Sequence, residues 1–146
     1  MRLGKLSLAL GAMLVAATAF AHSGVKNPAV MKRMQGMSAI SDATKVLGEM
    51  AKGNTAFDMS RAEAALAVLS DEAAAIPALF KAPEDDPKSE SLPAIWENFP
   101  DFTAKAEALG NAARAGRGNV ATLADLRARM NDIGQSCKSC HRAYRK

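Results

Sequence analysis

Apolar residues recur at helical spacing through most of the chain from residue 28 onward. Alanine, leucine and methionine dominate these stretches, and β-branched residues are sparse and scattered, which favours helices over strands. The pattern predicts four helices: Pro28 to Lys52, Asp58 or Ser60 to about Phe80, about Leu92 to Ala115, and Thr122 to Tyr144.

Prolines and glycines set the predicted boundaries. Pro28 suits the first turn of a helix, and Gly53 is the residue type that ends one. Pro77 is expected to kink or shorten the last turn of the second helix, and Pro100 marks an early kink or a restart in the third. The polar residues 81–91 are predicted to form a loop.

The last predicted helix has the clearest pattern. Thr122 and Asp125 have the spacing of a capping box at its start. Its apolar positions then recur in alternating steps of three and four residues, which defines one core-facing stripe. Short connections between amphipathic helices indicate an all-α, antiparallel four-helix bundle. The stripe consists of Leu123, Leu126, Met130, Ile133, Cys137, Cys140 and Tyr144.

The first 21 of the 146 residues are typical of a secretory signal peptide. Arg2 and Lys5 precede an apolar run that ends in Ala19-Phe20-Ala21, so we expect cleavage after Ala21. A membrane anchor is the alternative, but the run is shorter than the roughly 20 residues of a bilayer span. Cleavage leaves residues 22–146 as one domain without a membrane span, and predicts a periplasmic protein.

Loss of Arg2 and Lys5 lowers the formal net charge from +4 to +2. The basic character of the precursor therefore overstates that of the mature chain. Because no dense block of Lys and Arg remains, we expect no nucleic-acid partner.

The segment Cys137-Lys138-Ser139-Cys140-His141 has the C-x-x-C-H spacing of c-type haem attachment. Its two thiols can add to the two vinyl groups of one porphyrin, and the histidine that follows can ligate the iron. Both cysteines fall on the core-facing stripe, so one haem c bound there would lie inside the bundle. A dithiol redox pair, a zinc half-site and a structural disulfide are the alternatives. The first lacks a βαβ pattern, and a zinc site lacks a second ligand cluster.

The C-terminal segment Cys137–Arg145 resembles the C-x-x-C-H-x-x-aromatic-basic ending of the cytochrome c-prime family. Ala94-Ile95-Trp96 resembles that family's segment before the third helix. Arg33, Met37 and the Lys52-Gly53 helix end resemble its first helix. The resemblance covers essentially the whole mature chain and implies a four-helix bundle with haem on the last helix.

This resemblance also implies a ligand set. Some members leave the iron five-coordinate, and others, of the c-556 type, place a methionine on the distal face. A gap-free count back from Lys52-Gly53 brings Met37 to that position, opposite His141 as the proximal ligand. Periodicity alone leaves core packing open for Met31, Met34, Met37 and Met50, with Met34 as the reserve ligand.

Two arginines are further candidates for cofactor contact. The resemblance implies that Arg33 lies near a haem propionate, and a solvated helix arginine is the alternative. Arg145 lies one turn after His141, where its charge would tune the proximal imidazole. A solvent-facing terminal arginine is the alternative there.

These expectations favour a periplasmic single-electron carrier with six-coordinate, low-spin His/Met haem iron, and not an enzyme. Its partners would be periplasmic redox proteins, and the resemblance makes a homodimer plausible. The rival is a five-coordinate haem protein that binds nitric oxide or carbon monoxide. A peroxidase lacks support because the sequence offers no distal histidine for acid–base chemistry.

Overall fold

The structure, a computed structural model, describes residues 24–146, and the predicted signal peptide lies outside the described residues. Four long helices form an antiparallel bundle, and one short helix precedes the third of them. This architecture confirms the predicted fold class. The helices are α1 Pro28–Lys52, α2 Met59–Leu79, α3 Ala94–Glu97, α4 Phe99–Gly116 and α5 Leu123–Tyr144.

The helix ends follow the predicted signals. Gly53 ends α1 in the left-handed conformation, with φ of 83°, which a residue without Cβ adopts at little cost. Asp58, rather than Ser60, caps α2 and accepts a hydrogen bond from the backbone N–H of Arg61. At the start of α5 the predicted capping box between Thr122 and Asp125 is present in both directions. These confirmed boundaries depend on local chemistry.

The third predicted helix is divided in two. α3 ends at Glu97 and α4 begins at Phe99, because Asn98 has non-helical angles of φ −135° and ψ 53°. Pro100 is the second residue of α4, where its missing N–H costs no helical hydrogen bond. Of the two predicted outcomes, a kink or a restart, the structure therefore shows a restart of the helix at Phe99. α2 continues through Pro77 to Leu79.

The core lies where α2 packs against α1 and α4 and where α4 packs against α5. Its centre consists of fully buried aliphatic side chains, which include Leu47, Leu66, Leu69, Leu126 and Ile133. α1 and α5 contact each other more sparsely than these pairs do. No helix within residues 24–146 is long and apolar enough to cross a bilayer.

Candidate haem site

A cavity of about 770 Å³ lies between α1 and α5. On the α1 wall it is lined by Met34 and Met37, and on the α5 wall by Cys137, Cys140 and His141. Its volume is within the range of about 300–1,000 Å³ that is usual for cofactor sites. The inner wall is apolar, as a porphyrin face requires, and includes Val30, Ile40, Ile76, Phe80, Ile95, Phe102, Ala106 and Leu109.

Cys137 and Cys140 are half-buried free thiols that line the cavity, which confirms their place on the core-facing stripe. Their spacing of three residues places both on one face of α5. Burial raises the pKa of each thiol, whereas a redox dithiol of the thioredoxin kind has a lowered pKa near a helix N-terminus. The pair lies in the last two turns of α5, so the geometry does not favour that alternative.

A zinc site finds no support in the described part of the chain. Residues 24–146 contain no group of three or more His, Cys, Asp and Glu side chains that could hold a metal ion. A structural zinc site needs about four such ligands. The two thiols and one imidazole at the cavity are instead the set that haem attachment needs.

His141 lines the cavity one turn after Cys137. Partial burial lowers the pKa of His141, and the positive charge of Arg145 lowers it further, while Glu90 opposes the shift. The neutral imidazole is the form that ligates a metal. The surroundings of His141 therefore suit the predicted proximal role.

The methionines of α1 divide into two groups. Met34 and Met37 are half-buried and line the cavity. Met31 does not line it, and Met50 is fully buried, with its sulfur 3.4 Å from the backbone nitrogen of Asp58. The candidates that periodicity left open are thus reduced to two thioethers, and ligation by Met37 stays a prediction.

Arg33 is not a solvated helix arginine, and that alternative is wrong. Its side chain is 2% exposed and lines the cavity. Its Nε donates to the Leu79 carbonyl at 3.0 Å, and its two terminal nitrogens donate to the carbonyls of Ala82 and Glu84. Burial lowers the pKa of Arg33. These bonds tie Arg33 to the loop that follows α2. The predicted contact of Arg33 with a haem propionate stays a prediction.

Arg145 lines the same cavity as His141, but it is paired. Its guanidinium forms an ion pair with Glu90 at 2.5 Å, and about half of each side chain is exposed. Backbone bonds join the same two segments: Leu92 N–H donates to Tyr144, and Lys146 N–H donates to Glu90. The charge therefore lies near His141 together with its counter-charge.

Comparison with known proteins agrees with this geometry. The family model described as Cytochrome C' matches residues 28–145. The chain belongs to the cytochrome c' family. It is therefore a c-type cytochrome and not an enzyme.

Proteins named cytochrome c-556 and proteins named cytochrome c' are both similar to this chain. A cytochrome c-556 from Agrobacterium fabrum is 38% identical over 117 residues, 80% of each protein. The structure of cytochrome c' from Rhodopseudomonas palustris has a TM-score of 0.77 and 30% identity, and the match covers 83% of this chain and 98% of that one. A nitric oxide complex of a cytochrome c prime mutant from Alcaligenes xylosoxidans has a TM-score of 0.71 and 29% identity, with 81% and 94% covered.

Two parts of this cytochrome c' cavity were missed by sequence reasoning. The loop residues 89–91 line it beside His141, whereas the sequence predicts only a polar loop there. Tyr144 also lines it, and its hydroxyl donates to Asp101 at 2.6 Å. That bond and burial raise the pKa of Tyr144 to about 12. The position of Tyr144 on the apolar stripe of α5 is the sequence signal that could have indicated its place in the cavity wall.

Proposed function

We propose that this cytochrome c' family member is a periplasmic single-electron carrier with one haem c per chain. Cys137 and Cys140 hold the haem covalently, and His141 and Met37 are its two axial ligands. The iron is six-coordinate and low-spin. The observation that supports the proposal is that Met37 of α1 and the attachment motif of α5 line the same cavity.

The side chains around the cavity support this chemistry. When bound, haem supplies a reversible one-electron couple, and a methionine ligand raises its potential. The apolar wall lowers the polarity around a bound haem, which also tunes the potential. With both axial positions filled by protein, electron transfer requires little rearrangement and leaves no open coordination position.

The proposed location and partners follow from the first 21 residues. A cleaved signal peptide would deliver the chain to the periplasm, where c-type haem attachment is completed. Redox proteins of that compartment are the proposed partners, and a homodimer is compatible with the family.

Absorption spectra of haem-loaded Met37→Leu and Met31→Leu variants test the ligand set. Met31 lies on the same helix but does not line the cavity. We expect the wild type and Met31→Leu to show a low-spin ferric spectrum with a methionine-to-iron band. Met37→Leu should lose that band and become high-spin. If Met34→Leu loses it instead, Met34 is the ligand.

The alternative is a five-coordinate protein that binds nitric oxide or carbon monoxide. The structural likeness to a nitric oxide complex favours it. A high-spin ferric spectrum of the wild type, followed by rapid stoichiometric carbon monoxide binding to the ferrous protein, would establish this alternative and contradict the carrier proposal.

A further inference from the structure

Charge is unevenly distributed over the described residues, and the segment that carries the attachment motif is the most basic. Residues 123–146 contain six Lys or Arg and two Asp or Glu, a net charge of +4. Residues 59–91, which include α2 and the loop after it, contain three Lys or Arg and seven Asp or Glu, a net charge of −4. The most basic of these segments therefore forms one wall of the cavity.

Three basic residues of α5 share one side of the helix. At 100° per residue, Arg127, Lys138 and Arg142 fall within about 60° of one another. Asp125 and Asp132 lie outside this sector, about 80° or more from each of the three cations, and both already have partners, in the capping box and in an ion pair of 2.8 Å. The basic side of α5 therefore carries no acid of its own helix.

This basic side of α5 is turned toward α1. Arg127 Nε donates to the carbonyl of Ala51 at 2.8 Å, so this side of α5 lies next to the C-terminal part of α1. On α1 itself, Lys45 and Lys52 line the cavity and are exposed. We call five exposed cations the basic rim; two lie on the α1 wall of the cavity and three on the side of α5 that is turned toward α1: Lys45, Lys52, Arg127, Lys138 and Arg142.

Carboxylates nearby do not cancel this charge. Glu49 lines the cavity beside the rim and keeps its negative charge, because its partner, the Asn54 side chain at 3.1 Å, is neutral; one carboxylate is outnumbered by the five cations. Glu90 also lines the cavity and is already paired with Arg145. Within residues 24–146, the ion pairs with N–O distances up to 4.0 Å include neither Lys138 nor Arg142. The rim therefore presents a net positive surface to solvent.

We propose that the basic rim is the docking surface for an acidic redox-partner protein. The proposal rests on the electron-carrier function proposed above and names the chemistry of the partner. One electron passes between the iron and the partner's own redox centre, and no bond forms or breaks. Complementary charge speeds such brief encounters and orients them, and the effect weakens as salt screens it.

Kinetics with a small anionic oxidant test the local charge. The ferrous haem-loaded protein is mixed with ferricyanide, and the rate constant is measured from ~0.01 to ~0.15 M ionic strength, where the Debye length falls from about 30 to about 8 Å. For the wild type we expect a fall of about tenfold. A Lys45→Glu/Arg142→Glu variant should lose this dependence.

A matched control separates the rim from the overall charge. Lys81→Glu/Arg114→Glu reverses the same number of charges at exposed positions that do not line the cavity. We expect it to keep a salt dependence close to that of the wild type. Equal loss in both double variants would show that only net charge matters and would overturn the proposal.

A macromolecular probe tests the docking surface itself. The ¹⁵N-labelled haem-loaded protein is titrated with poly-L-glutamate, and shifts of the backbone amides are mapped. We expect shifts concentrated at the basic rim. Shifts that concentrate elsewhere, or are absent at low salt, would overturn the proposal. Because the rim residues are not iron ligands, a spectrum that contradicts His/Met ligation would overturn the proposed ligand set without deciding where the polyanion binds.

Discussion

The guanidinium of Arg33 lies over the ring of Phe80, with its central carbon 4.8 Å from the ring centroid. The same carbon lies 5.3 Å from the centroid of the Trp96 ring. The indole N–H of Trp96 donates a hydrogen bond to the Phe80 carbonyl at 2.8 Å. A buried cation thus joins α1 to the start of the loop that follows α2. Its hydrogen bonds and aromatic contacts replace the water that burial removes.

Replacement of Arg33 by lysine should destabilise the protein by about 2–4 kcal/mol. A single ammonium group cannot reach the three carbonyls that the planar guanidinium reaches, so buried acceptors lose their donors. Urea unfolding of the haem-loaded protein measures the change. Lys32→Met is the control, because Lys32 is an exposed neighbour on the same helix, and surface changes usually stay within about 0.5 kcal/mol. An equal effect of both substitutions would contradict this role.

The sequence was sufficient where structure depends on neighbours along the chain. The helix boundaries at Pro28, Gly53 and Thr122 follow from missing donors, left-handed backbone and side-chain caps, all of which act within a few residues. The place of Cys137 and Cys140 on the cavity wall follows from helical periodicity in the same way.

Sequence was insufficient where contacts join distant segments. Arg33 bonds to carbonyls about 50 residues away, and no local pattern indicates which backbone groups a side chain will reach. The same holds for the loop residues 89–91, which meet the C-terminus through backbone bonds. Periodicity could not separate Met34 from Met31, because that choice depends on where α5 stands relative to α1.

Asp86 should make stability depend on pH. Its side chain, only 5% exposed, accepts hydrogen bonds from the backbone N–H groups of Lys26, Asn27 and Lys88 at 2.8, 3.0 and 2.9 Å. These bonds lower the pKa of Asp86 from its ordinary 3.8. A lowered pKa means that the stabilising contribution is complete above the ordinary value and is lost as the pH falls through the lowered one.

Asp86→Asn should therefore be less stable than the wild type at about pH 7, and the difference should shrink as the pH falls below about 4. Chemical unfolding over this pH range measures it. Asp85→Asn, at the exposed preceding position, should show a much smaller difference at every pH. A gap between Asp86→Asn and the wild type that grows on acidification would contradict the assignment.

The hydroxyl of Tyr144 should control the ionisation of Asp101. Its hydrogen bond is the largest cause of the lowered pKa of Asp101, followed by the bond from Lys105. In Tyr144→Phe, the pKa of Asp101 should rise toward its ordinary value, while the ring keeps its edge contact with Phe102 at 5.3 Å. Carboxyl ¹³C NMR titration measures the shift. Asp125, whose pKa is lowered by Thr122, is the internal control and should not change.

The ion pair of Glu90 with Arg145 should contribute little to stability. Both side chains are more than half exposed, at 58% and 52%, and exposed pairs are usually worth about 0–1 kcal/mol. A double-mutant cycle with Glu90→Gln and Arg145→Gln, measured by urea unfolding, should give a coupling energy in that range. The backbone bonds of Leu92 and Lys146 hold the two segments together without it.

The same two substitutions should each change the reduction potential of the haem, because Glu90 and Arg145 line the cavity together with His141. Oxidation adds a positive charge at the iron, so loss of the Glu90 carboxylate disfavours the ferric form and raises the potential. Loss of the Arg145 cation lowers it, and the double variant should return close to the wild type. Spectroelectrochemical titration measures the three potentials. A shift of the same sign in both single variants would mean that the substitutions act by moving His141 and not through their charge.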